Sequence, residues 1–503
     1  MGVLHRKCVV LKFVTVINLG YIKRLMLFNS FTFAIFLPIV FFLYWFVTKG
    51  NLRFQNILLL VSSYFFYACW DYRFLFLLIF STLLDFFSGI KIEEARTNRA
   101  KTFWLWLSIG INVGFLGVFK YFNFFAGSFA EMIGGFGFKV DLWTLKIILP
   151  VGISFYTFHG LSYVIDIYKN RIKSERDFIN YSVFVSFFPL LVAGPIERAT
   201  HLLPQIIKER TFNYTRAIDG LRQILWGLFK KIVIADSCAD VVNQIFNNSS
   251  EQSGSTLALG AVLFAFQIYG DFSGYSDIAL GTARLFGIEL LRNFAFPYFS
   301  RDIAEFWRRW HISLSSWFKD YLYIPLGGSR GSTWKKIRNI LIVFVVSGFW
   351  HGANWTFIIW GLLNALYILP SVLIKTNRVN LDVVAKGRLL PTIKELGLIG
   401  VTFGLTVIAW IFFRSTSVGA AFDYLLRMFS KSLFTVPSEI PYVTLFLIAA
   451  FIIIEWLGRE DQYALQKFGF KWARPVRWSF YFVNVWLILF FSGNQHEFIY
   501  FQF

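Results

Sequence analysis

Long apolar segments recur along almost the whole of this 503-residue chain. An α-helix needs about 20 apolar residues to cross the hydrocarbon core of a bilayer. The recurrence predicts an all-α, polytopic membrane protein with about 11–12 transmembrane helices and additional re-entrant or interfacial helices. The predicted segments are residues 31–47, 54–70, 74–90, 103–122, 145–167, 181–192, 218–234, 257–286, 340–369, 396–413, 442–457 and 478–491.

The composition argues against a chain of soluble domains. Charged residues make up 16% of the sequence and hydrophobic residues 56%, whereas a soluble globular domain carries about 25% charged residues. Phenylalanine alone contributes 63 residues, and a bilayer can solvate aromatic surface that a soluble fold could not bury. We therefore expect a single membrane domain over residues 26–503.

The formal net charge of +20 has a distribution that favours a membrane over nucleic acid. Lysine and arginine fall in short clusters between the apolar segments, as the positive-inside rule expects of cytoplasmic loops. The predicted partner of these charges is the lipid bilayer, and no nucleic-acid binding is expected. The clusters are residues 91–101, 169–176, 208–216, 301–319, 330–338 and 375–394.

Residues 1–25 form a doubtful N-terminal extension. They combine basic residues with a short apolar run over 9–19, which resembles a poor signal peptide, but no small-residue cleavage site follows. The alternative interpretation is that Met26 is the true start.

The stretch 293–338 is rich in aromatic and charged side chains together. Trp307 and Trp310 alternate there with Arg308 and Arg309. Tryptophan and tyrosine favour the membrane–water interface, and amphipathic basic–aromatic helices lie in that plane. We expect interfacial or re-entrant helices at the cytoplasmic face.

His351 is the most informative of the six histidines, because it lies inside the apolar segment 340–369. An ionisable side chain at membrane depth is costly and usually faces the interior of the bundle. On one continuous helix, Ser347 and Asn354 would share its face and could fix the imidazole tautomer. A neutral imidazole suits general-base chemistry on a hydroxyl. A histidine that only hydrogen-bonds two helices fits the position equally well.

His311 lies in the basic–aromatic stretch, with Trp307 four residues before it and Ser315 four residues after it. One interpretation is an interfacial histidine among snorkelling arginines. The other is a second catalytic or substrate-orienting histidine.

Asp271, Ser273 and Asp277 share the glycine-containing stretch QIYGDFSGYSD. These carboxylates could bind a cation, orient a histidine or form ion pairs, and ion pairing is the favoured interpretation. No metal site is expected, because the acids are not clustered, no histidine is close in sequence and the three cysteines are scattered. The candidate pairing partners are Arg301, Arg308 and Arg309.

Two further histidines have structural interpretations. His159 lies in the apolar stretch SFYTFHGLSYVIDIY, where hydrogen bonding within the core is expected. His201 follows the sequence GPIER and is expected in a loop.

Three long motifs carry a family resemblance: DFSGYSDIALGTARLFGIEL, NFAFPYFSRDIAEFWRRWHISLSSWFKDYLYIPLGG and SGFWHGANWTFIIWG. In this order they resemble the bacterial, alginate O-acetylation branch of the membrane-bound O-acyltransferase (MBOAT) family. The resemblance runs from Met26 to about Phe413 and includes PVGISFYTFHGLSYVIDIY and LVAGPIER. Members of the family typically begin at the position of Met26.

The resemblance implies a fold and an activity. The fold would be a ring of helices around a central funnel through a locally thin bilayer, with a catalytic core at about residues 145–370. His351 would match the catalytic histidine and His311 the second histidine. An acyl group, with acetyl-CoA as the expected donor and no bound cofactor, would pass from the cytoplasm to an extracytoplasmic acetyltransferase or polysaccharide acceptor. Expected supporting residues are Asp271, Ser273, Asp277, Trp307, Arg308, Arg309, Trp310, Ser347, Trp350 and Asn354.

The location implied is the bacterial cytoplasmic (inner) membrane, and the process is O-acetylation of an exopolysaccharide, as in alginate biosynthesis. Peptidoglycan, cellulose and other acceptors stay open at this point. Two other classes of function fit a polytopic chain: a transporter or flippase for a lipid-linked sugar or small solute, and a non-catalytic scaffold of an exopolysaccharide complex.

Overall fold

The computed structural model describes residues 26–136, 149–192, 194–493 and 496–499. Across these residues all regular structure is helical and there is no β-strand. The all-α prediction is therefore confirmed. The predicted start at Met26 concerns residues 1–25, which lie outside the described residues.

The first half of the chain contains ten α-helices within the described residues. Asp71 interrupts the second with an extended backbone, so that helix consists of two arms. Short π-helical segments, Leu43–Val47, Gly117–Tyr121 and Phe229–Ala235, extend three of the helices. The α-helices are α1 (Phe31–Phe42), α2 (Leu52–Glu94), α3 (Asn98–Leu116), α4 (Phe122–Gly134), α5 (Ile153–Tyr168), α6 (Phe178–Ser186), α7 (Phe188–Leu191), α8 (Ala199–Ile206), α9 (Tyr214–Leu228) and α10 (Asp236–Asn247).

The second half contributes one long buried helix, a group of short helices and several apolar helices. A π-helical segment, Lys319–Tyr323, follows the short helices, and 3₁₀ turns lie at Ser249–Glu251, Pro297–Phe299 and Lys431–Phe434. The α-helices are α11 (Gly254–Leu285), α12 (Ile303–Arg309), α13 (Ile312–Phe318), α14 (Thr333–His351), α15 (Trp355–Leu373), α16 (Ile393–Arg414), α17 (Val418–Met428), α18 (Tyr442–Leu457) and α19 (Arg474–Phe491).

Five of the described helical stretches are long and apolar enough to cross a bilayer, and two shorter apolar helices accompany them. Large apolar side chains are exposed on all of these stretches except Gly254–Leu285, as expected of surfaces that face lipid. The protein is therefore a multi-pass membrane protein. The long stretches are Leu52–Glu94, Asn98–Gly134, Gly254–Leu285, Trp355–Leu373 and Ile393–Arg414, and the shorter ones are Phe31–Val47 and Tyr442–Leu457.

Helix α11 forms the centre of the bundle, and almost all of its residues are buried. It packs closely on α9 because glycines line the contact. A Cβ atom on Gly281 would lie 2.4 Å from the Gly220 oxygen, and one on Gly274 would lie 2.8 Å from the Gly227 oxygen. Small residues allow this backbone approach between membrane helices.

The apolar segment 340–369 is two helices, α14 and α15, and not one. The backbone becomes extended at Gly352, where a Cβ atom would lie 2.1 Å from the Phe357 ring. Asn354 caps the start of α15 by accepting a hydrogen bond from the Thr356 amide at 3.0 Å. The prediction that Asn354 shares a helix face with His351 is therefore wrong, because the chain reverses between them.

The chain segment that contains α12 and α13 begins and ends near the same end of the α14–α15 hairpin, where α14 starts and α15 finishes. Arg308 donates to main-chain oxygens just beyond the end of α15. Three residues later, His311 contacts Trp350 at the opposite end of α14. Asn339, near the start of α14, then donates to main-chain oxygens of the turn at 326–328. The chain from α12 to the turn at 326–328 therefore reverses direction within the bundle, and we call it the re-entrant turn.

His311 forms the apex of this re-entrant turn. Its backbone is left-handed (φ 44°, ψ 53°) and separates α12 from α13. Trp307 and Ser315 therefore do not flank it on one continuous helix, contrary to the spacing argument. The left-handed conformation costs a non-glycine residue about 1–2 kcal/mol, and such residues concentrate at functional sites.

Candidate active site

His311 and His351 meet where the re-entrant turn reaches the end of α14. Their ring centroids are 6.4 Å apart and their planes are inclined by 62°. The indole of Trp350 contacts both rings, with centroid distances of 6.1 Å to His311 and 4.8 Å to His351. Both imidazoles are buried. The structure thus brings together two histidines that belong to different motifs.

A cavity of about 90 Å³ reaches His351. Its wall also contains Lys120, Trp350 and residues 149–155. The rings of Trp360 and Phe413 pack against the imidazole edge-on, at 5.0 and 5.5 Å. His351 therefore combines a fixed ring with access to open space. His311 is not among the described residues that line this cavity.

Lys120 and Tyr121 cap the end of α14, a feature that the sequence interpretation missed. The Lys120 ammonium donates to the main-chain oxygens of Trp350 at 2.7 Å and His351 at 3.1 Å. The Tyr121 hydroxyl donates to the Phe349 oxygen at 3.1 Å. The last carbonyls of a helix lack partners within the helix, so these three bonds complete α14 and fix its final residue.

Lys120 and Phe413 both lie outside the range of about 145–370 expected for the catalytic core. A signal for Lys120 was present, because it is a lone cation within the apolar segment 103–122. Phe413 gave no signal, since nothing distinguishes it from the many other phenylalanines of the chain.

Asn293, also missed, organises the surroundings of His311. Its side-chain oxygen accepts hydrogen bonds from Nδ1 of His311 and from the Ser313 hydroxyl, both at 2.9 Å. Its side-chain nitrogen donates to the Ser276 hydroxyl at 3.1 Å. This pattern places the His311 proton on Nδ1. Nε2 of His311 is buried without a hydrogen-bond partner among the described residues, so it presents a lone pair to the aromatic surroundings.

The turn after α7 ties the His311 segment to the rest of the bundle. The Ile196 amide donates to the Ser313 hydroxyl at 2.9 Å, and the Glu197 amide donates to Nε2 of His159 at 3.1 Å. The Glu197 carboxylate accepts from the Leu291 amide at 2.6 Å. His159 therefore bonds within the core, as expected.

His201 lies on α8 and not in a loop, contrary to the sequence prediction. Its Nδ1 is 2.8 Å from the Glu197 carboxylate one helical turn earlier. The hydrogen bond that His201 donates to the Glu197 carboxylate holds the pKa of His201 above its ordinary value. A loop was expected because Pro195 and the charged residues that follow it resemble a turn, but Ala199–Ile206 forms two helical turns beyond them.

The carboxylates of the DFSGYSD motif form ion pairs, but with lysines and not with the expected arginines. Asp271 pairs with Lys231 at 2.7 Å, and Asp277 pairs with Lys230 at 2.5 Å. Both lysines lie on the π-helical segment that packs against α11. The Ser273 hydroxyl, also buried on α11, has no hydrogen-bond partner among the described residues.

The arginines near His311 are engaged by the protein itself. Arg301 and Arg309 form ion pairs with Glu305 at 3.0 and 2.9 Å. Arg308 donates to the main-chain oxygens of Asn377 and Asn380, both at 2.8 Å. These contacts hold the base of the re-entrant turn to the chain that follows α15.

Three other predicted site residues, Trp307, Trp310 and Ser347, pack in the same part of the bundle. Trp310 is buried against Trp410, with ring centroids 5.0 Å apart. Trp307 packs 5.7 Å from Trp360 and donates to the Asn364 side chain at 3.3 Å. Ser347 is buried one helical turn before His351.

His311, Trp350 and His351 fall within a region that matches a known protein family. The profile of the MBOAT, membrane-bound O-acyltransferase, family matches residues 168–381, which include both histidines. A protein named probable alginate O-acetylase AlgI, from Pseudomonas aeruginosa, is 37% identical over 446 residues, which cover 87% of this chain and 82% of that protein. The chain belongs to the membrane-bound O-acyltransferase family.

Two further relatives show the breadth of this membrane-bound O-acyltransferase branch. The peptidoglycan O-acetyltransferase of Helicobacter pylori is 37% identical over 434 residues, covering 80% of each chain. The teichoic acid D-alanyltransferase of Streptococcus thermophilus is 29% identical over 289 residues, covering 54% of this chain and 69% of that protein. The family resemblance inferred from the motifs is confirmed, and the chain is an acyltransferase.

Proposed function

We propose that this protein transfers an acetyl group from cytoplasmic acetyl-CoA across the bacterial cytoplasmic membrane for O-acetylation of an extracytoplasmic polysaccharide such as alginate. The relatives named alginate O-acetylase and peptidoglycan O-acetyltransferase support this class of acceptor. The observation that carries the proposal is the cavity that reaches His351, next to the second histidine.

In the proposed reaction, His351 is the general base. It removes the proton from the acceptor hydroxyl while the hydroxyl oxygen attacks the thioester carbonyl carbon. The new C–O bond forms, the C–S bond breaks, and the departing thiolate takes up a proton, so that an ester and the free thiol result. A positioned base contributes about 10²–10⁴-fold to such a reaction.

Lys120 and His311 have different proposed roles. The Lys120 side chain lines the same cavity and fixes the backbone of His351, and its proposed role is to stabilise the oxyanion that develops on the carbonyl. His311 lies beside both Trp350 and His351 and is proposed to position the indole and the imidazole.

The distribution of basic residues supports access to His351 from the extracytoplasmic side. Arg338 belongs to a basic cluster at the start of α14, and 13 residues (351 − 338) separate it from His351. At 1.5 Å per residue, the cavity lies about 20 Å from that end. The hydrocarbon core is about 30 Å thick. The positive-inside rule assigns the basic end to the cytoplasm, so the cavity opens within reach of an extracytoplasmic acceptor.

The proposal is tested in cells that lack their own copy of the protein. His351→Ala and His311→Ala should abolish polysaccharide acetylation at normal membrane abundance, whereas Trp334→Ala, at an exposed position on α14, should retain it. Acetylation that survived His351→Ala would refute the assigned role. A transporter would move an unmodified solute, and a scaffold would tolerate loss of the imidazole, so labelled product separates all three classes.

A further inference from the structure

A second cavity, of about 290 Å³, lies away from the histidines, between the end of α1 and the chain that links α8 to α9. Its described lining shares no residue with the cavity at His351. Basic side chains dominate its wall, with Glu209 as the one acidic side chain among the described lining residues. The lining cations are Lys208, Arg210, Arg216 and Arg284.

Arg210 is the unusual member of this group. It is only 7% exposed, and its Nε and Nη1 atoms are buried without hydrogen-bond partners among the described residues. Its remaining contacts are a hydrogen bond from Nη2 to the Asn56 side chain and the ring of Tyr44, 5.6 Å from the guanidinium carbon. A buried cation without a counterion is strongly unfavourable. An anion bound in the cavity would supply the counterion for the Arg210 guanidinium.

The other charges leave the cavity positive. Arg284 is neutralised, since it pairs with Asp219 at 2.7 Å and with Glu289 at 3.0 Å. Lys208 and Arg216 are exposed and form no ion pair with any described residue. Asn213, which caps the 15-residue helix α9, also lines the cavity, so the positive end of that helix dipole adds to the field.

The aromatic side chains around the cavity indicate that it lies at the level of the lipid headgroups, so we expect its ligand to be a membrane component. Trp45, near the end of the first apolar helix, lines it, and its neighbour Phe46 is 62% exposed. Phe212 also lines the cavity and is 49% exposed, while Tyr214 beside it is 70% exposed. Aromatic side chains at the end of a membrane helix mark the headgroup level of the bilayer. A molecule seated here would present its anionic end to the arginines and its apolar part to these rings.

We propose that this cavity binds the phosphate of an anionic phospholipid, with the headgroup against Arg210, Lys208 and Arg216 and the acyl chains beside Phe212 and Tyr214. The arginine fork can hold two phosphate oxygens, which a point charge cannot. The site is independent of acyl transfer and does not rest on the proposed function.

The test uses the full-length protein in nanodiscs of phosphatidylcholine with or without phosphatidylglycerol. Phosphatidylglycerol should raise the melting temperature and should remain bound in native mass spectrometry. The Lys208→Gln/Arg216→Gln double variant, with both changes at exposed positions, should weaken retention of this lipid by roughly tenfold. Lys386→Gln, at an exposed lysine far along the chain, is the matched control and should bind as the wild type does.

The Arg210→Met variant provides a second test, in which the melting temperature is compared with and without anionic lipid. Without anionic lipid, its melting temperature should equal or exceed that of the wild type, because an unpaired buried cation has been removed. With phosphatidylglycerol, the variant should gain no stability. Equal lipid retention in all variants would overturn the proposal. So would competition for the site by inorganic phosphate or free acetyl-CoA, since a soluble phosphate would then be the ligand.

Discussion

The imidazoles of His311 and His351 lie 6.4 Å apart, and the Trp350 indole contacts both of them. His311 occupies the apex of a re-entrant turn, whereas His351 ends a helix that starts at the other end of the bundle. Two independent sets of hydrogen bonds hold them there. Asn293 fixes the ring of His311, and Lys120 fixes the backbone of His351. Each set of hydrogen bonds can be removed by a substitution that leaves both imidazoles in place.

The first prediction concerns Lys120. Lys120→Met keeps the aliphatic stem but removes two charge-assisted hydrogen bonds to the end of α14, each worth about 1.5–3 kcal/mol. We expect kcat to fall by roughly tenfold to a hundredfold with little change in KM. Lys120→Arg should recover part of the loss, and Lys101→Met, at a half-buried position on α3 where the lysine donates to the Asn170 side chain, should behave as the wild type does. A normal kcat in Lys120→Met would remove this residue from the site.

The second prediction concerns Asn293. Asn293→Ala removes the acceptor that holds the His311 proton on Nδ1, and we expect acetyl transfer to fall by roughly tenfold or more. If Asn293 acts through His311, the double variant Asn293→Ala/His311→Ala should be no worse than His311→Ala alone. Initial rates of transfer for the four proteins of this cycle provide the measurement. Fully additive losses would show that Asn293 acts elsewhere.

The third prediction concerns the break between α14 and α15. Gly352→Ala places a methyl group 2.1 Å from the Phe357 ring, so the hairpin must shift. We expect a loss of about 1–3 kcal/mol, the usual cost of overpacking, measured as a lower melting temperature in detergent. Gly397→Ala is the matched control, because nothing lies within 4 Å of the added atom. Equal melting temperatures for the two variants would contradict the close packing of the hairpin.

The fourth prediction is a pH dependence of stability. Because Glu197 holds the pKa of His201 above its ordinary value, the folded state binds this proton more tightly than the unfolded state. The contribution is complete below the ordinary value of about 6.5 and is lost as pH rises through the raised pKa. The wild type should therefore lose melting temperature across that window, whereas His201→Gln should not. The same slope in both proteins would assign the titration to another group.

Much of the helical architecture follows from the sequence, because membrane helices must satisfy their own backbone and therefore appear as long apolar runs. The positions at which helices are interrupted are harder to predict from the sequence. Segment 340–369 is apolar apart from a few polar side chains, and Gly352 is the local sign of the reversal that separates His351 from Asn354. The left-handed backbone at His311 has no compositional signature, since its neighbours suit a helix.

The candidate site was partly predictable for the same reason. Ionisable residues at membrane depth are conspicuous, and this criterion indicates His351 and, in retrospect, Lys120. The pairing of Asp271 with Lys231 could not be read from the chain, because it depends on how two helices pack. Asn293 acts through three hydrogen bonds that exist only after the re-entrant turn has formed.

In the proposed reaction, His351 is the base for acetyl transfer across the membrane. Sealed inside-out vesicles test it most directly, with labelled acetyl-CoA outside and polysaccharide acceptor and any partner acetyltransferase enclosed. With the wild type, labelled ester should accumulate on the enclosed polysaccharide, and His351→Ala should reduce its initial rate by about a hundredfold or more. Label that appears at the wild-type rate with His351→Ala would contradict the account.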